Sequence, residues 1–186
     1  MKITPLMKGA MVAVRDCMGV RKEEKVTVIT DTGKIDIAQG FLFALHALGV
    51  DATLLMMVPR SHHAEEPPPE IGVAMASVDV ALLVTTMSLS HTHARMRATE
   101  KGVRIASMPG ITEDMLTVGA MTADYEKVSK LSWKLTRLLE TTNLVEIYTE
   151  KGTDVRLSLE GRKPAIPPDD GLYREKGRWG NLPAGE

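Results

Sequence analysis

The chain of 186 residues lacks the features that mark several specialised classes of protein. It has one cysteine, Cys17, so a disulfide framework cannot form within the chain, and a small buried thiol on a helix is expected. No segment approaches the roughly 18 consecutive apolar residues of a membrane span, and the N-terminus does not resemble a signal peptide. We therefore expect a cytoplasmic protein with no membrane partner.

Neither sign of charge is in excess. The 23 lysines and arginines nearly balance 24 aspartates and glutamates, which leaves a net charge of −1. Such a balance gives no general attraction to phosphate backbones, so a nucleic-acid partner is not expected. Apolar residues make up 44% of the chain and charged residues 25%, which is typical of globular proteins that bury a core.

Short apolar segments alternate with amphipathic helical segments through the first three quarters of the chain. The predicted strands are residues 25–30, 52–58, 80–85 and 103–107. Helical periodicity covers 4–18, about 38–48, 70–77, 92–101 and 124–141. Strands that are apolar on both faces and alternate with helices predict an α/β fold of Rossmann or flavodoxin type, a parallel sheet with helices on both faces. The leucines of the last helix are expected to pack against that sheet.

After residue 142 the pattern changes. Residues 144–149 and 154–159 alternate with a period of two around a turn at 150–153, which predicts an antiparallel hairpin. Residues 161–186 contain five glycines and four prolines, so no regular structure is predicted there. We therefore assign 1–142 to an α/β N-terminal domain and 143–186 to the β-hairpin start of an incomplete second α+β domain. The tail could instead dock on the α/β core or on another subunit, but we expect a longer protein.

Candidate binding residues lie in the loops that follow the predicted strands, because ligands of open parallel sheets bind beyond the carboxyl ends of the strands. These loops are 31–34, 59–66, 85–93 and 107–112. They contain four of the five histidines: His62, His63, His91 and His93.

Each candidate also has a plain structural interpretation. Residues 31–34 could bind phosphate at a helix N-terminus or form only a turn and cap, which the missing glycine spacing favours. Residues 61–66 have metal-binding side chains, but adjacent side chains on a loop diverge, which favours a solvated loop. In 85–95, either a binding site or a helix capped by Ser90 or Thr92 fits the sequence. Asp169 and Asp170 are expected to be solvated unless another segment helps them chelate a cation.

Two segments together carry a family resemblance. Residues 88–95 read Ser-Leu-Ser-His-Thr-His-Ala-Arg, and residues 102–110 read Gly-Val-Arg-Ile-Ala-Ser-Met-Pro-Gly. Both resemble the N-terminal domain of the aminopeptidase T family of metallopeptidases. The final residues 180–186, Gly-Asn-Leu-Pro-Ala-Gly-Glu, are similar to the motif that begins the metal centre of that family.

The resemblance implies a metal-dependent aminopeptidase of the leucyl type, a cytoplasmic hydrolase acting on peptide substrates as a homodimer. It implies two divalent ions, zinc, cobalt or manganese, that activate a water molecule. Glu186 would be one metal ligand and the others would lie outside this chain, so the 186 residues alone would be inactive. His91 could line the substrate cleft. The alternatives are an iron-dependent dioxygenase of the same fold that cleaves dihydroxypyridine rings, and a non-catalytic binding or assembly module.

Overall fold

The computed structural model describes residues 3–185, which form a parallel sheet with helices on both faces and a separate hairpin. The five strands of the sheet are β1 (Val26–Asp31), β2 (Ala52–Met57), β3 (Val80–Val84), β4 (Arg104–Ser107) and β7 (Trp179–Asn181). Their order is β2-β1-β3-β4-β7, with every neighbouring pair parallel. The predicted fold class is confirmed.

The helices separate into two layers. They are α1 (Ile3–Met11), α2 (Ile35–Ala47), α3 (Pro69–Met75), α4 (His93–Glu100), α5 (Glu113–Thr117) and α6 (Tyr125–Leu139). A π-helical segment, Val12–Cys17, extends α1. Side chains of α1, α2 and α5 form the core on one face of the sheet, and those of α3 and α4 form a second core on the other. Strands β1, β3 and β4 are buried on both faces, which explains why β3 is apolar throughout and why no strand of the three alternates between buried and exposed residues.

The last strand of the sheet comes from the segment in which we predicted no regular structure. Trp179, Gly180 and Asn181 pair in parallel with Ile105, Ala106 and Ser107 of β4. This strand was missed because three residues carry too little periodicity, and their pairing depends on a strand more than 70 residues away. The tail therefore docks on the α/β core, whereas the predicted boundary after residue 142 stays a prediction.

The hairpin consists of β5 (Leu144–Tyr148) and β6 (Asp154–Ser158), as the alternation predicted. Val145 lies opposite Leu157 and Ile147 opposite Val155, so one face of the hairpin is apolar. Most side chains of both strands are exposed. None of the helices within residues 3–185 combines the length and apolar character that a membrane crossing needs.

The predicted orientation of α6 is wrong. Leu131, Leu135 and Leu138 are each more than half exposed, at 57%, 56% and 58%. The buried side of the helix contains Tyr125, Ser129 and Thr136 instead. A polar contact with the tail, described below, selects that side, and a pattern of apolar residues could not reveal it.

Candidate functional site

The carboxyl edge of the sheet is closed at its centre by a buried carboxylate. Asp31 ends β1 and is fully buried. The chain leaves β1 toward β2 on one side, whereas it leaves the neighbouring strand β3 toward β4 on the other side. Its oxygens accept hydrogen bonds from the backbone N–H of Gly33 at 2.9 Å, and from the N–H and hydroxyl of Thr86 at 2.6 and 2.8 Å. The nearby Lys34 ammonium donates to the carbonyl of Ile111 at 2.8 Å. The Gly33 N–H and the Lys34 ammonium thus have partners within the chain, and residues 31–34 form a turn, although no side chain caps α2.

The loops that follow β2 and β3 meet across the end of β1. The backbone N–H of Ala64 donates to the carbonyl of Ser88 at 2.8 Å, and the N–H of Ser88 donates to Nδ1 of His63 at 3.0 Å. Ala64 has φ of 65°, a left-handed conformation that costs a residue with a side chain about 1 kcal/mol. The bonds to Ser88 offset that cost and hold the two loops together, so His63 has a structural partner.

The two acidic residues of loop 61–66 accept hydrogen bonds from backbone N–H groups. The Glu66 carboxylate accepts the backbone N–H groups of His93 and Ala94 at the start of α4. Glu65 accepts the N–H and hydroxyl of Ser61, and these hydrogen bonds lower the pKa of its carboxyl. Loop 61–66 is mostly exposed, as expected, and its two carboxylates also accept backbone N–H groups. Its long-range contact with α4 leaves no local sequence signal.

Hydroxyl groups link the ends of β3, β4 and β7. The Ser90 hydroxyl lies 3.0 Å from the Ser88 hydroxyl, 2.9 Å from the Ser107 hydroxyl and 3.0 Å from Oδ1 of Asn181. Ser90 and Ser107 are buried, whereas Asn181 is exposed. The predicted cap of α4 proves to be Thr92, whose hydroxyl accepts the N–H of Arg95 at 3.2 Å.

An arginine, a tryptophan and a histidine lie beside this hydroxyl group network. The Arg95 guanidinium carbon is 3.9 Å from the centre of the Trp179 ring, and its Nε donates to the Ser90 carbonyl at 2.6 Å. Burial lowers the pKa of Arg95. The His91 ring meets Trp179 edge-on with 6.1 Å between ring centres. His91 is exposed, as is His93. Sequence reasoning identified His91 but missed Trp179, whose strand it did not predict.

The two adjacent aspartates of the tail are structural, so their expected solvation is wrong. Asp170 is only 4% exposed and accepts hydrogen bonds from the Ser129 hydroxyl at 2.7 Å and the Trp133 indole at 3.1 Å. Asp169 accepts hydrogen bonds from the Tyr173 hydroxyl and the backbone N–H of Asn181. Burial and the Asp169 charge raise the pKa of Tyr173. These contacts fasten the tail to α6 and support β7.

The described residues do not themselves form a metal centre. Within residues 3–185, no three histidine, cysteine, aspartate or glutamate side chains are grouped so that they could hold a metal ion. The predicted ligand Glu186 lies outside the described residues. His91 faces solvent beside Trp179, where it could contact a bound molecule.

Comparison with known proteins decides between the two enzyme families considered above. The profile of the family described as NicX, 2,5-dihydroxypyridine 5,6-dioxygenase, matches residues 7–186. The chain belongs to this family. No curated protein sequence matches it.

Two solved structures are similar to the NicX-family chain. The structure of 2,5-dihydroxypyridine dioxygenase from Pseudomonas putida KT2440 superposes with a TM-score of 0.71 at 15% identity, covering 100% of this chain and 55% of that one. AmpT from Thermus thermophilus gives 0.49 at 15% identity, covering 83% of this chain and 53% of that one. The chain thus spans about half the length of these structures.

The family match overturns the first functional interpretation. The predicted aminopeptidase, with its hydrolase, metallopeptidase and protease descriptions, is wrong because the profile covering nearly the whole chain belongs to a dioxygenase. The resemblance was misleading because it rested on short framework segments, and a fold does not fix the chemistry. The peptide substrate rested on that interpretation, and the homodimer stays a prediction.

Proposed function

We propose that the chain provides the α/β half of an iron-dependent dioxygenase that cleaves the ring of a dihydroxypyridine. The supporting observation is the match of the NicX profile to residues 7–186. The alternative enzyme raised from the sequence, a ring-cleaving dioxygenase, is therefore the function that we adopt. A cytoplasmic location is part of this proposal.

The carboxyl edge of the sheet suits a small planar substrate with hydroxyl groups. The exposed His91 imidazole can exchange a hydrogen bond with a ring hydroxyl, and the exposed Asn181 amide can donate one. Asn181 is held by Ser90, and Trp179 by the Arg95 guanidinium, so their positions are set before a substrate arrives. In this proposal His91 and Asn181 bind and orient the ring, while Ser90 and Arg95 are positioning residues.

The iron would be held mainly by residues outside the range 3–185. A bound ferrous ion supplies the one-electron chemistry through which molecular oxygen reacts with a closed-shell ring. The side chains within 3–185 do not provide its ligand set. We retain Glu186 as a proposed ligand, and the earlier pair of zinc, cobalt or manganese ions is replaced by iron.

Oxygen uptake tests the proposal directly. The protein encoded by the natural gene is mixed with ferrous ion and 2,5-dihydroxypyridine in an oxygen electrode, and loss of the substrate absorbance is followed in parallel. We expect substrate-dependent oxygen consumption that a ferrous chelator abolishes. Leucyl p-nitroanilide with cobalt or zinc serves as the control for peptidase activity and should not be hydrolysed. Absence of oxygen uptake with the iron-loaded protein would contradict the proposal and favour a non-catalytic module.

A matched pair of histidine variants tests the proposed contact. His91→Gln should raise KM for the dihydroxypyridine about tenfold, because one hydrogen bond to the ring is weakened. His93→Gln, an exposed histidine two residues away whose backbone is capped by Glu66, should leave KM unchanged. Equal effects of the two substitutions, or none, would remove His91 from the site.

A further inference from the structure

Helix α6 presents an apolar stripe to solvent although its opposite side is firmly packed. Leu131, Leu135 and Leu138 follow the i, i+4, i+7 spacing of one helix face and are more than half exposed. Asp170 holds the other side through its bonds to Ser129 and Trp133. The helix therefore cannot rotate to bury the leucines without breaking these hydrogen bonds. A contiguous exposed stripe of this kind is typical of a binding surface.

A row of positive charge runs along one flank of the leucines. Its members, at spacings of three and four residues, are Lys127, Lys130, Lys134 and Arg137. A groove of about 530 Å³ lies among the side chains of this flank, lined by Trp133 and Leu138 together with the last three of the four cations. The surface thus combines apolar contact area with cations on one side, and we call it the α6 surface.

We propose that the α6 surface binds an amphipathic polypeptide segment that carries apolar residues along one stripe and carboxylates along one flank. Complementary charge selects this occupant, because acidic side chains beside its apolar stripe would meet the row of cations. An antiparallel pairing with a second copy of the chain is disfavoured. Pairing two α6 helices antiparallel through their leucines would place the cationic row of one copy against that of the other.

The inference does not depend on the dioxygenase chemistry, since the α6 surface is built by the helix and the tail. Binding at the α6 surface is an interaction of the folded chain, so a negative oxygen-uptake experiment would not contradict it. Conversely, loss of peptide binding would not affect the catalytic proposal.

The experiment uses a fluorescein-labelled synthetic helical peptide with leucines at i, i+4 and i+7 and glutamates along one flank. Its binding to the 186-residue chain is followed by fluorescence anisotropy. We expect saturable binding that weakens with added salt. A control peptide with lysine in place of each glutamate should bind about tenfold more weakly, through loss of the rim charge pairs. Equal binding of the two peptides, or no binding, would overturn the proposal.

Variants of the surface locate the binding. Leu135→Glu should weaken binding at least tenfold, whereas Val73→Glu, a matched control at a 71% exposed apolar residue of α3, should not. Combined Lys130→Glu and Lys134→Glu should reverse the preference between the two peptides. Circular dichroism and thermal melting verify that each variant is folded. An unchanged affinity for the acidic peptide in Leu135→Glu would exclude the α6 surface.

Two further outcomes identify other occupants and would overturn the assignment. Concentration-dependent dimerisation in analytical ultracentrifugation that Leu135→Glu abolishes would show that a second copy covers the stripe. Tighter binding to vesicles of phosphatidylserine and phosphatidylcholine than to the acidic peptide would show that the surface recognises an anionic membrane.

Discussion

The Asp31 carboxylate joins the ends of two neighbouring strands by accepting both the backbone N–H and the hydroxyl of Thr86. Because Asp31 is fully buried and charge-assisted bonds are strong, Asp31→Ala should lower the free energy of unfolding by about 3 kcal/mol. Urea denaturation followed by circular dichroism measures the loss. Asp51→Ala, at an exposed position before β2, is the matched control and should change stability by less than about 0.5 kcal/mol. Equal losses in the two variants would contradict this role.

The tail should separate from the core when its buried carboxylate is neutralised. Asp170→Asn leaves one oxygen for the bonds from Ser129 and Trp133, but it replaces the other oxygen with a donating amide nitrogen. The lost oxygen accepts the backbone N–H of Leu172 at 3.1 Å and pairs with Arg178 at 3.3 Å. We expect faster tryptic cleavage within 161–178 and faster amide exchange there than in β1. Asp154→Asn, on the exposed hairpin, provides the comparison. A tail that remains as protected as in the unsubstituted protein would be inconsistent with this anchor.

Stability should fall at alkaline pH because of Tyr125. Burial raises the pKa of this phenol from about 10 to about 12, so the folded state prefers the neutral form. The neutral phenol contributes fully to the free energy of unfolding below pH 10. This contribution is lost as the pH rises toward 12, because the unfolded state releases the proton more readily. The expected loss of unfolding free energy is on the order of 2 kcal/mol.

Two tyrosine variants isolate that effect. Tyr125→Phe should make the unfolding free energy less dependent on pH between 10 and 12, while Tyr173 and Cys17, whose pKa burial also raises, keep part of the slope. Tyr148→Phe on the exposed hairpin should leave the slope unchanged. Urea midpoints measured across this range compare the three proteins. A decline of the same slope in all of them would assign the titration to other groups.

The Cys17 thiol should be unreactive in the folded protein. It is fully buried, and burial together with the charge of Asp16 raises its pKa, so little thiolate forms near neutral pH. Ellman's reagent should react with one thiol per chain only after urea is added. Rapid reaction of the native protein would refute the inert assignment made from the sequence.

The α/β fold could be predicted from the sequence because burial alone decides the structure of its central strands. Strands β1 and β3 are apolar on both faces because helices cover both, and a short β-branched segment between helices is a local signal. The orientation of α6 could not be predicted in the same way. Its leucines have the spacing of a core stripe, yet the tail carboxylate of Asp170 bonds to the opposite side and fixes the helix.

The sequence predicted where the candidate site lies, but not most of the residues that form it. The carboxyl edge follows from the parallel strands, and His91 lies there. Its companions Trp179 and Asn181 come from a strand with no periodic pattern, and their contacts with Arg95 and Ser90 span more than 80 residues. The functional resemblance was misleading for a related reason, since short framework motifs do not fix the chemistry of a site.

The pairing of β7 with β4 has a consequence for how the chain is synthesised. The hairpin is synthesised before β7, so a nascent chain that ends near residue 160 has an open edge on β4 at Ile105 to Ser107. Unpaired edges of this kind recruit strands from other molecules. The short Trp179–Asn181 segment therefore covers the edge of β4, and protein expressed without it should aggregate through that edge.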